Sequence, residues 1–417
     1  MPIAFPNPYR GLRGLPGDVW MVFATTLVNR AGMMALPFLI LYLTKYLGIS
    51  VSLAGLAITA YGLGGLVTAP VAGRLADRVG PFVVLRASLA LSGVVLLVMP
   101  LVRSFLAIVT LTFVWAVIAD AARPATMSAL SDATPADQRK AAIALNRLAI
   151  NLGMSIGPAV GGFLAVVSFP LIFVVDGLTS LAAAAVLSAL LRRRRRSMVH
   201  HQPTAVSTIA DVSNAKPPFS AHSVVWRDRA ALTFFASSLL MNVVFAQCQG
   251  AMPLYLVRDL HYRESFYGLL FLLNTAIIVA TEVPLNVAMS HWSPRRAIPL
   301  ATMLIAIGFG GLGVARTPMP IAITVVIWTV GEMIYFPTAV AYVSQLAPAG
   351  RTGEYMGALS ATFSLSLILG PWAGAATLER FGPGVTWASA FVCGALGAAL
   401  YAGYRRPSTA ASTRRPE

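Results

Sequence analysis

Eight charged side chains fall inside stretches that are otherwise apolar: Asp120, Asp176, Glu282 and Glu332, with Arg30, Arg86, Arg123 and Arg147. At the centre of a bilayer a charge costs ~2.5–3.5 kcal/mol even on a mild insertion scale, so each must face a partner or a wet path. A carboxyl group at that depth has a neutral and a charged form, and switching between them is the chemistry of a proton carrier. Glu332 is the first candidate for that role. Asp120 is the second, but Arg123 stands three residues further along the same helical face. A static ion pair of Asp120 with Arg123, or with Arg30, is the competing reading. Glu282, two residues before Pro284, is balanced between coupling and structure, and Arg147 is a further charge partner. Asp176 is expected to cap a helix or to pair, and Arg86 to snorkel toward an interface.

Uncharged polar groups at the same depth are few. Asn29, Asn151, Asn242, Gln247 and Asn274, with the aromatic Tyr61, Trp115, Trp328 and Tyr335, are the candidates for lining a cavity. Such a lining suits amphipathic or cationic compounds better than sugars, although a lone Tyr or Trp in a span is as much at home in packing.

The elements that must hold these residues follow from composition. The 417 residues are 57% hydrophobic and 11% charged, with mean hydropathy +0.74. Soluble chains are ~45–50% apolar and ~25% charged. The excess must face lipid, and a spanning helix needs ~20 apolar residues. Twelve stretches qualify, near 18–43, 52–72, 81–102, 104–128, 141–166, 169–191, 229–253, 263–289, 297–315, 319–343, 354–377 and 384–404. The first is too long for a signal-peptide core of ~7–15 residues and is expected to remain as a span. The expected organisation is an all-α membrane protein. Residues 1–191 form one six-helix bundle, 192–228 a basic cytoplasmic linker, and 229–417 a second bundle with a short basic tail.

With both termini placed inside, twenty-one of the 31 Lys and Arg residues lie in inner segments and six in outer loops. That asymmetry obeys the positive-inside rule. It also accounts for the net charge of +16 without nucleic acid, and membrane lipid is the partner expected of the Arg192–Arg196 run.

The two sets of stretches align at a constant shift of 213 residues. Leu41-Tyr42-Leu43 meets Leu254-Tyr255-Leu256, Pro81 meets Pro294, Pro124 meets Pro337, and Gly157-Pro158 meets Gly370-Pro371. A parallel repeat of six spans implies two pseudo-symmetric bundles about an axis along the membrane normal, able to rock around a central cavity.

The segment Gly73-Arg-Leu-Ala-Asp77-Arg78-Val-Gly80 resembles the G-x-x-x-D-R-x-G-R-[KR] loop signature of the major facilitator superfamily, with Pro81 and Phe82 replacing the final basic pair. Gly153-Met-Ser-Ile-Gly157-Pro158-Ala-Val-Gly161-Gly162 is similar to the signature of the twelve-span drug:proton antiporters, and Gly331-Glu332-Met-Ile-Tyr335-Phe-Pro337 to a segment of proton-driven multidrug exporters. The resemblance implies a secondary transporter of a bacterial inner membrane. It also implies that Asp77 locks one conformation by pairing with Arg and capping a helix of the other half. Asp132 is then a partner for Arg74 or Arg78. The family often carries Arg mid-way along the fourth span, where this chain has Val114.

Other chemistries have no foothold. There is no P-loop, G-x-S-x-G or H-E-x-x-H segment, so neither ATP nor enzymatic catalysis is expected. The two cysteines and five histidines have no metal-ligand spacing. No cofactor is expected, and a proton gradient is the energy source. The expected activity is proton-coupled efflux of drug-like molecules by a monomer, with a carrier of one specific metabolite as the alternative.

Overall fold

The computed structural model describes residues 14–135, 138–200, 225–289, 291–348 and 351–404, and the regular structure within them is helical. The first set of helices is α1 (Gly17–Gly32), α2 (Ala35–Leu41), α3 (Val51–Val79), α4 (Pro81–Val98), α5 (Phe105–Asp120), α6 (Ala122–Ala133), α7 (Arg139–Val167) and α8 (Phe169–His200). The second is α9 (Arg229–Phe245), α10 (Ala251–Leu254), α11 (Glu264–Ala288), α12 (Pro294–Gly311), α13 (Pro318–Leu346) and α14 (Thr352–Gly403). Among the described residues, ten helical stretches are long and apolar enough to cross a membrane. α12, with Arg295 and Arg296 in its first turn, is not among them, and α14 counts as one stretch of 52 residues although its backbone is non-helical at Gly382. Leu91, Phe163, Val392 and Leu396 are more than half exposed on helix surfaces, as side chains in contact with lipid would be.

The internal repeat is carried by the backbone. The π-helical turns that follow α2 and α10 begin at Tyr42 and Tyr255, and α3 and α11 begin at Val51 and Glu264. α4 and α12 begin at Pro81 and Pro294, and α5 and α13 at Phe105 and Pro318. Each pair is one 213-residue step apart. Both tyrosines are fully buried, Tyr42 against Phe173 and Tyr255 against Trp387.

Local expectations needed four corrections. The first stretch is not continuous: it breaks at Met33 and Met34, between α1 and α2. The seventh breaks likewise between Phe245 and Ala251. The helix expected to end at 191 runs on to His200, because Arg is a good helix former and nothing in the run breaks a helix. Residues 73–79, expected as a loop, are the last turns of α3. Nothing in them breaks a helix, and the chain turns only at Gly80, whose φ of 93° suits glycine, with Pro81 opening α4.

Candidate functional site

The break after α1 is held by a carboxylate. Helix starts leave backbone N–H groups without partners, and those of Met34 and Ala35 donate to Asp176 Oδ2 at 3.1 and 2.9 Å. Asp176 is only 3% exposed. It is thus an internal helix cap across 141 residues of chain. Asp176→Leu should orphan both donors at about 1–3 kcal/mol each. The expected result is a marked fall in the detergent melting temperature, largely recovered in Asp176→Asn, read by tryptophan fluorescence.

The glycine motif of α7 packs against the same break. A side-chain carbon at Gly153 would meet the Ala31 amide nitrogen at 2.8 Å, one at Gly157 the Met33 carbonyl at 2.7 Å, and one at Gly161 the Met34 side chain at 2.7 Å. Gly162, one residue round the helix, faces α11, where the Glu264 carbonyl would lie 2.8 Å away, and Pro158 approaches Gly268. The motif lets α7 lie close to two helices at once. Gly157→Val is expected to cost about 1–3 kcal/mol through forced separation, measurable as a lower melting temperature.

The two sets meet most closely at one end. Lys45 Nζ donates to Glu264, and Glu379 accepts from the hydroxyl of Ser52 and from its backbone N–H at 3.1 Å. The Tyr267 hydroxyl reaches the carbonyls of Cys248 (2.7 Å) and Pro37 (3.3 Å), and Gly55 and Gly62 pack against Trp372 and Ile368. At the opposite end Arg74, Arg78, Arg139, Arg295 and Arg296 are exposed, and Gly353 and Gly357 have no neighbour within 4 Å of a built side-chain carbon. Asp132 is exposed there and makes no ion pair with Arg74 or Arg78. The side chain of Asp77 lies outside the described residues. Lys45, Ser52, Glu264 and Glu379 were not anticipated as site residues. Their one sequence signal is that Glu264 opens α11 one repeat step after Val51 opens α3, with Ser52 matched by Ser265.

The membrane-depth acids have different surroundings. Glu332 on α13 accepts from Asn274 Nδ2 at 2.9 Å, and that amide also reaches Thr329 Oγ1 at 2.9 Å. Among the described residues no Lys or Arg is within ion-pair distance of Glu332. Trp328 and Phe336 lie one helical turn to either side on the same face, and the Phe245 ring stands edge-on to both, at 5.8 and 5.6 Å. Glu282, 16% exposed, is paired with Arg147 of α7 and approached by Asn151 Nδ2 at 3.4 Å, a bridge between the two sets. Asp120 is 3.8 Å from Arg123. The Arg30 ion pair considered from sequence is not formed: its guanidinium donates to Met33 Sδ at 2.8 Å.

Tyr61 and Trp115 stack edge-on at 5.0 Å and, with Asn29, line a cavity of about 60 Å³ beside α1. Asn29 Nδ2 donates to Ser180. The other cavity candidates are mainly packing. Asn242 bonds the Ser238 carbonyl at 2.8 Å, and Gln247 those of Val243 and Gly370 at 3.0 and 2.8 Å. Trp328 stacks on Phe309, and Tyr335 is 1% exposed.

Duplicated helical sets with broken first helices, charges at membrane depth and one tightly joined end are the architecture of a multi-pass membrane protein, and comparison with known proteins makes it a transporter. A family profile described as Major Facilitator Superfamily matches residues 22–255 and 247–417. The chain belongs to the Major Facilitator Superfamily. It is similar to the uncharacterized MFS-type transporter YqjV of Bacillus subtilis, at 24% identity over 88% of this chain and 87% of that one. Over a shorter span it is similar to the quinolone resistance protein NorA of Staphylococcus aureus, 27% identical over 36% of this chain and 38% of that protein. Among solved structures it resembles a POT family transporter in complex with a thioalcohol-conjugated peptide (TM-score 0.73, 15% identity, 94% of this chain and 96% of that one). It also resembles a D-xylose–proton symporter (TM-score 0.70, 14% identity, 92% and 96%).

Proposed function

We propose that this transporter exports amphipathic and cationic small molecules in exchange for protons, as a monomer alternating between inward- and outward-facing states. In this reading the helical stretches before and after Gly382, together with α12, bring the number of spans to twelve. The Arg-rich end and both termini face the cytoplasm, where Gly73, Asp77, Arg78, Gly80 and Asp132 act at the inner gate. The described conformation is then open inward.

The observation that carries the proposal is Glu332: a carboxylate at membrane depth with an amide donor, no cationic partner among the described residues, and aromatic rings on either side. Such a group can hold either a proton or an organic cation, and the rings add a cation–π surface. Competition between the two for one carboxylate is sufficient for exchange. Asp120 and Glu282, each beside an Arg, serve as secondary coupling groups. The partial likeness to a quinolone resistance protein points the same way.

The test uses proteoliposomes containing a pH-sensitive dye and tetraphenylphosphonium as the cation. Its addition should release protons from the lumen in a protein-dependent manner. Flux of the cation without proton movement would refute coupling. A flux confined to one metabolite would favour a specific carrier.

A further inference from the structure

The arginines at membrane depth all lie in the first set of helices, whereas the acids are divided between the two. Glu282 and Glu332 lie in the second set of helices, whereas Arg30 and Arg123 lie in the first, around two adjoining cavities of about 50 and 60 Å³. Both cavities are lined by Asn29, Arg30 and Ala122. Arg123, Thr26 and Asn146 complete one, and Tyr61, Asp120 and Asp176 the other.

Arg30 is conspicuously short of acceptors. A guanidinium offers five N–H donors, and a thioether is a weak acceptor. The structure gives Arg30 only Met33 Sδ, with no carboxylate within 4.0 Å among the described residues. Of the acids nearby, Asp176 is committed to the start of α2, and Asp120 stands 3.8 Å from Arg123, too far for a hydrogen bond. Arg123 itself keeps 60% of its side chain exposed. A water needs roughly 10–15 Å³ of such cavity space, so each cavity admits a carboxylate head but not a whole drug-sized molecule.

We propose that Arg30 and Arg123 form a subsite for the carboxylate of an amphipathic substrate. Resting on the exporter reading above, this extends the exported class to zwitterions: an acid group held by α1 and α6, an amine by Glu332, and an apolar body between them. Two arginines at one cavity suit the planar, bidentate geometry of a carboxylate.

The experiment measures binding of three probes of one shape to the purified full chain in detergent at neutral pH: 1-naphthoate, 1-naphthamide and 1-naphthylmethylamine. Naphthoate should bind at least tenfold more tightly than naphthamide. Arg123→Gln and Arg30→Gln should each erase that difference and leave the amine unaffected, which also reports a folded protein. Should Arg30→Gln fail to fold, the more exposed Arg123→Gln decides. Equal binding of naphthoate and naphthamide by the wild type, or retention of their difference in the arginine variants, overturns the subsite. Loss of the amine alone in Glu332→Gln bears on the exporter reading, so the two fail separately.

Discussion

Glu332→Gln should abolish uphill export and, because the same carboxylate holds the cation, should also slow its downhill exchange. One pH unit is worth about 1.4 kcal/mol per proton, or a tenfold concentration ratio. A carrier exchanging one proton per substrate can therefore sustain a gradient of about tenfold per pH unit, and one that cannot carry the proton sustains none. Glutamine keeps the size of the side chain and an oxygen able to accept from Asn274 at the present 2.9 Å, so the fold should survive. The measurement is steady-state accumulation of tetraphenylphosphonium in inside-out vesicles under an imposed pH gradient, alongside exchange without one. The accumulation ratio should fall to one in the variant. Asp120→Asn, whose parent carboxylate already has Arg123 at 3.8 Å, should retain most of the accumulation. Full accumulation by Glu332→Gln would remove Glu332 from the coupling step.

Breaking the contacts at the closed end should shift the conformational balance by about one to two orders of magnitude. The Lys45–Glu264 pair has one half-exposed partner and one that is 6% exposed, and Glu379 caps the first turn of α3 from the other set of helices. A hydrogen bond to a charged group contributes about 1.5–3 kcal/mol, and each 1.4 kcal/mol is tenfold in population. The combined variant Glu264→Gln, Glu379→Gln should therefore open this end. A cysteine at Ala159, packed where α7 crosses Gly268, reports the change in a background lacking Cys248 and Cys393. Its labelling by a membrane-impermeant maleimide should quicken at least tenfold. An unchanged rate would mean that the glycine-lined packing, not the polar contacts, holds the end shut.

The legible part of this molecule was whatever repeats or costs energy locally. The 213-residue shift foretold the recurrence of helix starts because proline and glycine mark the same turns in both copies. The α7 glycines announced close packing, since spacing by four puts them on one face. What stayed hidden depends on distance in sequence. Nothing near Glu282 shows that its partner is Arg147, 135 residues away. Nothing near Asp176 shows that the N–H groups of Met34 and Ala35 await it. The break after α1 was missed for the same reason, because a run of apolar residues reads as continuous when its cap comes from elsewhere. The polar contacts of the closed end were hidden because Lys45 and Glu264 look like ordinary interfacial charges until two copies of the motif are brought face to face.

Gly382 is a corner made from one residue. Its φ of 77° and ψ of 178° belong to a conformation essentially restricted to glycine, and Pro383 follows at once. With no slack between the two arms of α14, a tilt imposed on residues 352–381 must be handed to 383–403 as from one limb of a crank to the other. Gly382→Ala, or a short insert placed there, should therefore cost more in turnover than in folding, because it would disengage an outer strut from the lever that drives it.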